Sequence, residues 1–338
     1  MPPMRILFLL TQDLESPSGL GRYWPLACGL AKLGHEVTLA ALHANFQSLT
    51  QTQFTQNGVH VQYVAPMHVL KTGNEKRYYP PTKLAQIVTQ ATLALTRAAW
   101  NTPADLIHLA KPHPMNSVAG LLAMRGRRVL LDCDDYEAGS GHFKGAWQRR
   151  GVAWFERNVP RWVRGVTTNT HFMQEKLQAW GVPPSHIYHL PNGVDSARFK
   201  PDPARVAALR AQWDVRGEPV IAFIGTMSLV SHPVNLLVDA FADLVRTHPA
   251  ALLLLVGGGE DLAMIREQAA QVGVAARLRC VGRVPPSDVV NYYALADVSV
   301  DPVYDDEAAR GRSPLKMFES WACGIPFVTA DVGERSKA

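Results

Sequence analysis

Leu190-Pro191-Asn192-Gly193-Val194-Asp195 divides this chain. Proline followed by Asn-Gly marks a turn, and the same rhythm runs on both sides of it. Before it, short apolar runs at 5–10, 37–41, 59–64, 106–109, 129–132, 165–168 and 187–190 alternate with helical segments such as 20–33 and 84–100. After it, strands are expected at 220–224, 251–256, 278–281, 298–300 and 326–329, with helices between them. Short buried strands separated by helices form βαβ units, so each half reads as an α/β, doubly wound parallel sheet. The expected domains are 1–190 and 191–338, facing a central crevice, because ligands of open α/β sheets bind at the carboxyl ends of the strands.

The length of 338 residues suits two domains of ordinary size. With 47% hydrophobic and 19% charged residues the composition is globular. A net charge of +5 suits phosphorylated substrates or peripheral contact with an anionic membrane. No nucleic-acid motif accompanies it, so no nucleic-acid partner is expected. Cys28, Cys133, Cys280 and Cys323 form no CxxC pair, which argues against a zinc site or a disulfide framework and fits the cytoplasm. The apolar run at 6–10 is too short for a signal peptide and leads into Thr11-Gln12-Asp13, so it reads as a buried first strand. No stretch approaches the ~20 apolar residues that span a bilayer. The expected location is therefore cytoplasmic, with room for peripheral contact on the inner face of the membrane.

The chemistry is carried by Ser313-Pro314-Leu315-Lys316-Met317-Phe318-Glu319, followed by Cys323-Gly324-Ile325-Pro326. Ser313 reads as an N-cap, Pro314 as the first helical residue, and Gly324 with Pro326 as the stop. A helix start offers free N–H groups and a positive dipole end, which suit a phosphate. Lys316 and Glu319 are three apart and share a face. A cation for a diphosphate and a carboxylate for ribose hydroxyls are what a nucleotide-sugar needs, so sugar transfer is the expected chemistry.

Other stretches support more than one reading. Gly19 and Gly21, in Ser16-Pro17-Ser18-Gly19-Leu20-Gly21-Arg22, let the backbone approach a ligand or merely turn a strand into a helix. The third glycine of GxGxxG falls on Trp24, which speaks against a nicotinamide dinucleotide. Gly257-Gly258-Gly259-Glu260 either seats a base or ribose or makes a tight turn, and Arg283 and Val284 follow the neighbouring strand. Leu131-Asp132-Cys133-Asp134-Asp135-Tyr136-Glu137 places carboxylates at a strand end, for sugar hydroxyls, a metal or solvent. Paired acids also suit glycoside hydrolysis, which would leave Lys316 without a use. Lys111 and His113 lie past another strand, nearer the expected crevice, whereas His108 alternates with apolar neighbours and reads as core. In 147–162, Arg150, Arg157 and Arg161 recur at helical spacing and Arg164 follows, beside a stripe of Trp147, Trp154, Phe155 and Trp162. An interfacial helix has this pattern. So does a surface helix packed into its own domain, and Pro160, which interrupts the stripe, favours packing.

These residues resemble glycosyltransferase family 4, retaining enzymes of the GT-B fold, over nearly the whole chain. The resemblance rests on Pro191-Asn192-Gly193-Val194-Asp195, on Phe223-Ile224-Gly225-Thr226-Met227 with Asp239-Ala240-Phe241, and on Lys316 to Glu319 through Gly324-Ile325-Pro326. Lys111-Pro112 and the Asp-Asp-x-Glu cluster are similar to one branch of it. The resemblance implies transfer of a sugar from a nucleotide diphosphate-sugar donor to a glycan, lipid or small-molecule acceptor held by the N-terminal domain. It fits polysaccharide biosynthesis and needs no metal or cofactor. The donor side would comprise Gly19, Gly21, Gly225, Thr226, Gly257, Gly258, Arg283, Val284, Ser313, Pro314, Leu315, Lys316 and Glu319. Lys316 and the 313–316 amides would offset the leaving diphosphate. The acceptor side would hold Lys111, Asp134, Asp135 and Glu137, with the acceptor base or positioning group drawn from His113, Asp134 or Asp135. Two places depart from the family. Its diphosphate-directed Arg and Lys fall on Thr226 and His232, and its first Glu falls on Gly311. Lys316, Arg310 or Arg312 would supply the charge, and Asp306 or Glu307 the carboxylate. The family continues past the last strand with covering helices, so a chain ending at Ala338 is expected to be truncated. A nucleotide-sugar epimerase and a non-catalytic binding subunit are the rival readings.

Overall fold

All twelve apolar runs, seven before the turn and five after it, form strands in the computed structural model, which describes residues 2–16, 18–72, 75–124, 126–140, 143 and 145–337. Two units are distinguished: Met1–Lys71, Arg77–Pro191 and Arg310–Ser313 form one, and Thr72–Lys76, Asn192–Ala309 and Pro314–Ala338 the other.

The first unit contains β1 (Arg5–Leu10), β2 (Glu36–His43), β3 (Gln53–Gln56), β4 (Val59–Pro66), β7 (Leu106–Ala110), β8 (Arg128–Cys133), β9 (Gly165–Thr168) and β10 (Ile187–His189). They lie in the order β10-β9-β8-β7-β1-β2-β4-β3, with every pairing parallel except β3 with β4. β5 (Val69–Thr72) and β6 (Glu75–Tyr78) pair with each other. The helices are α1 (Trp24–Lys32), α2 (Pro81–Asn101), α3 (Pro114–Leu122), α4 (Ala146–Asn158) and α5 (His171–Ala179). From Ile6 onward β1 is apolar because both its faces are covered: Leu7 and Leu9 join the core that includes α2, while Ile6, Phe8 and Leu10 join the one that includes α1.

The second unit contains β11 (Val220–Ile224), β12 (Leu252–Val256), β13 (Leu278–Gly282), β14 (Val298–Asp301) and β15 (Phe327–Thr329), all parallel in the order β13-β12-β11-β14-β15. Its helices are α6 (Pro203–Gln212), α7 (Val234–Thr247), α8 (Leu262–Gln271), α9 (Val289–Tyr293), α10 (Glu307–Arg310) and α11 (Leu315–Ala322). In each sheet the connections leave a central strand in opposite directions. These switch points fall between β1 and β7 and between β11 and β14, where the carboxyl ends of the strands leave room for a ligand.

Three local readings need correction. Ser313 does not cap α11: Pro314 occupies the cap, extended at ψ 116°, and has no side-chain oxygen to offer. The helix expected over 20–33 opens with a π-helical turn, Gly19–Tyr23, before α1. The aromatic stripe of 147–162 does not pack inward as a whole. Trp147, Trp154 and Trp162 are exposed, because Phe155, Glu156 and Val159 already fill the inner face of that segment. All four cysteines are free. Among the described residues, no helix is long and apolar enough to cross a membrane.

Candidate active site

At the switch point of the second sheet, β14 ends on Asp301, which is 1% exposed. Lys316, on the first turn of α11, places Nζ 2.9 Å from its Oδ1. Arg335 donates through Nε and Nη2 to its Oδ2, at 3.1 and 2.8 Å. Burial opposes ionisation of Asp301, but Lys316 and Arg335 outweigh it and hold the carboxyl well below the usual range. Two cations on one carboxylate leave a net charge of about +1 at the start of a helix, before any contribution from His232, whose Nδ1 lies 3.9 Å from Asp301. Lys316 Nζ also sits 4.3 Å from the centre of the Phe223 ring. Lys316 is thus a buttressed cation, held by a partner that the sequence did not reveal. One turn on, Glu319 accepts a hydrogen bond from the Tyr293 hydroxyl at 3.1 Å, and burial raises its pKa.

The glycines of this unit have a structural task. The amide of Gly225 donates to Val256 O at 2.9 Å, and that of Met227 to Gly258 O at 3.0 Å, zipping the loops after β11 and β12 together. Gly257 adopts φ +135°, and a Cβ there would collide with Gly225 O. A Cβ on Gly225 would lie 3.0 Å from Lys316 Nζ. Gly225 therefore borders the cation directly, whereas Gly257 is fixed by backbone contact. Thr226 is half-buried beside them. Val284 packs against the core and Arg283 is exposed at the end of β13. Asp306 caps α10 through the amide of Ala309 at 2.7 Å, and Glu307 and Arg310 are exposed. Gly311 and Ser313 are buried.

In the first unit, Lys111 follows β7 at φ +69°, a conformation that side-chain-bearing residues seldom adopt. It is 3% exposed, and its Nζ lies 2.9 Å from Asp134, 2.7 Å from Asp135 and 2.6 Å from Glu137. Burial alone would lower its pKa; the three carboxylates push it well above the ordinary value instead. Burial lifts the Asp134 carboxyl to about 7, with Lys111 opposing and Asp135 adding. Glu137 is held low by Lys111 and His113 despite its burial. Among the described residues, oxygens of Asp134, Asp135 and Glu137 lie within 4.8 Å of one another, as a metal site requires. Lys111 already places a cation among them. His113 spans the switch point: Nδ1 meets Thr11 Oγ1 at 2.7 Å and Nε2 meets Glu137 at 3.3 Å. Beneath this cluster, Asp132 accepts from Arg22 at 2.6 and 2.7 Å, from the Tyr23 hydroxyl at 3.0 Å and from Thr167 at 2.5 Å. Burial would raise Asp132, yet Arg22 holds it at about 2. Gly19 is buried against the turn that follows β1, where a Cβ would strike Asp13 O; Gly21 lies in the same π-helical turn. His108 is a core residue, 4.6 Å from the Phe8 ring and lowered to about 4 by burial.

The expected acceptor-side residues Lys111, His113, Asp134, Asp135 and Glu137 are therefore brought together, as are Gly225, Lys316 and Glu319 in the second unit. Asp132 was read as one of the strand-end acids, and the structure ties it to Arg22 instead. Asp301, Arg335, Tyr293, Arg22 and Thr11 were missed; of these, Asp301 carried a signal, as an acid directly at the end of an apolar strand.

Residues 18–193 match the glycosyl transferase 4-like domain, and residues 218–337 match glycosyl transferases group 1. The chain belongs to glycosyltransferase family 4. Among relatives of this family member, the GDP-mannose-dependent alpha-(1-6)-phosphatidylinositol monomannoside mannosyltransferase of Mycolicibacterium smegmatis is 27% identical over 222 residues, 64% of this chain and 56% of that one. The D-inositol 3-phosphate glycosyltransferase of Nocardia farcinica is 31% identical over 183 residues, 52% of this chain and 39% of that one. The chain spans about half the length of the curated relatives it matches. Anabaena HepE in complex with UDP and glucose superposes with TM-score 0.71 at 19% identity, over 99% of this chain and 82% of that one. Sucrose-phosphate synthase from Thermosynechococcus elongatus gives 0.75 at 18%, over 98% and 82%. Two Rossmann-like units and these likenesses make the fold GT-B.

Proposed function

We propose that this chain is a retaining glycosyltransferase that moves a sugar from a nucleoside diphosphate-sugar to a carbohydrate or lipid-linked acceptor. The observation that carries the reading is the Lys316–Asp301–Arg335 group at the switch point of the second sheet, set at the start of α11. Its excess positive charge, with the amides of Leu315 and Lys316, would offset charge on the departing diphosphate, the electrostatic contribution that is usually largest in such reactions. Pro314 adds no donor there. Glu319 would take the ribose hydroxyls beside Tyr293. On the acceptor side, Asp135 fits the positioning role better than Asp134 or His113: its side chain is 33% exposed, against 5% for Asp134 and 16% for His113. The printed names of relatives and neighbours, one GDP-mannose-dependent and one bound to UDP and glucose, support a nucleoside diphosphate-hexose donor.

The test is to incubate the protein with a panel of nucleotide-sugars and candidate acceptors and to follow nucleotide release. Acceptor-dependent release supports transfer. A free epimerised sugar, or binding without turnover, overturns it.

Two substitutions probe the donor side. Lys316→Ala should weaken nucleoside diphosphate binding about tenfold to a hundredfold, the worth of a charge-assisted hydrogen bond, while nucleoside binding changes little. Calorimetry showing equal losses for both ligands would remove Lys316 from the diphosphate site. Glu319→Gln should lower affinity for ribonucleotides by about tenfold and leave deoxyribonucleotides nearly unaffected, since a site built for hydroxyls discriminates against their absence. The same loss for both sugars would exclude Glu319 as the ribose ligand.

A further inference from the structure

We propose that the outer face of α4 and the turn after it dock this protein on an anionic lipid bilayer. The segment 145–164 has two faces. Phe155 and Val159 turn to the core, and between them Glu156 is 0% exposed and accepts hydrogen bonds from the amides of Glu137 and Ala138. The opposite face of α4 reads Trp147, Arg150, Trp154 and Arg157, a spacing of three and four that keeps all four on one side of the helix, and Arg161 follows in the turn Val159–Arg161. Trp147 is 69% exposed, Trp154 52% and Trp162 45%. The Trp154 and Trp162 rings stand edge to face, with centroids 5.7 Å apart.

The charge of this surface is of one sign. Glu156 is the only acid in 145–164, and it is buried; the segment's five arginines, Arg149, Arg150, Arg157, Arg161 and Arg164, are all exposed. Three open indoles interleaved with cations, with no exposed carboxylate among them, match a headgroup layer. Tryptophan prefers the boundary between hydrocarbon and water, and arginine pairs with lipid phosphates. Trp147 and Trp154 stand about 10 Å apart along the helix axis, so a helix lying flat would insert both at one depth. Stacking of nucleic-acid bases is a poorer fit, because the edge-to-face pair offers no parallel slot. This surface belongs to the first unit alone, and its use does not depend on the transferase reading.

The test is co-sedimentation of the whole chain, without donor or acceptor, with phosphatidylcholine vesicles containing or lacking phosphatidylglycerol. Binding to the anionic vesicles should exceed binding to the neutral ones by about tenfold or more, with a blue shift of tryptophan emission. The triple variant Trp147→Ala, Trp154→Ala, Trp162→Ala should lose the blue shift and most of the binding. Arg150→Glu with Arg157→Glu should lose the preference for anionic lipid. All five side chains are exposed, so thermal melting serves as the control for folding. Failure to bind anionic vesicles, binding unchanged in both variants, or preferential capture of a single-stranded oligonucleotide overturns the proposal. Transferase activity measured on a soluble acceptor is independent of each of these results.

Discussion

Replacing Lys111 by methionine is expected to destabilise the protein by about 3–5 kcal/mol at neutral pH, the usual cost of leaving buried charges without their partner. The ammonium pairs with Asp134, Asp135 and Glu137, and Glu137 also meets His113. The dependence on pH has a definite sign. Without Lys111, burial pushes the Asp134 carboxyl further above its unfolded value near 4 and lifts that of Glu137. A carboxyl raised in this way is penalised above its unfolded pKa and escapes the penalty below it. In the wild type the two carboxyls differ: Glu137 is held low and the stability this confers fades in acid, whereas Asp134, already raised to about 7, is penalised above its unfolded pKa with Lys111 opposing the penalty. The gap between variant and wild type should therefore be widest above pH 7 and should narrow toward pH 4. Urea denaturation at pH 7.5 and pH 5 measures it. A deficit under about 1 kcal/mol, or one independent of pH, would show that the carboxylates do not need the ammonium.

Asp301→Asn should cost the second unit a similar ~3–5 kcal/mol, since Arg335 is 6% exposed and has its Nε and Nη2 on that carboxylate. The substitution also predicts a rescue. With the carboxylate gone, Lys316 and Arg335 present about two positive charges instead of one, so an anion stabilises the variant more than the wild type. Ligand that binds the folded state stabilises it by RT ln(1 + L/Kd), where L is the free ligand concentration, which raises the melting temperature. Pyrophosphate or a nucleoside diphosphate should thus shift the melting temperature of Asp301→Asn further than that of the wild type. Equal shifts would mean that these cations do not face the anion.

Much of the fold was legible because a parallel sheet covered on both faces writes itself as continuous apolar runs, as at β1 and β12. β3 was not legible. Gln53-Phe54-Thr55-Gln56 has one apolar residue, and its antiparallel pairing with β4 depends on Asn57-Gly58, both at positive φ, a hairpin signal that lies outside the βαβ rhythm. In the sites, residues near one another in sequence were found: Asp134, Asp135 and Glu137 by clustering, Lys316 and Glu319 by helical spacing. Their partners were not. Arg335 reaches Asp301 across 34 positions, and Arg22 reaches Asp132 across 110, distances that no local pattern encodes. The exposed tryptophans of α4 were misjudged because Pro160 suggested a broken, inward stripe, whereas one aromatic, Phe155, is enough to seat the helix.

The position of β1 at the middle of its sheet has a temporal consequence. Ile6 pairs with Leu106, one hundred residues later in the chain. A ribosome adding ~5–20 residues per second needs about 5–20 s to supply that partner. Through that interval β1, five of whose six residues end up buried, has β2 on one side and an unpaired edge on the other. Loop closure of this length also slows refolding of the finished chain. The strand that anchors the sheet is therefore the one that waits longest for its second neighbour, and nascent chains are most open to wrong pairing, and to capture by chaperones, before residue 110 has emerged.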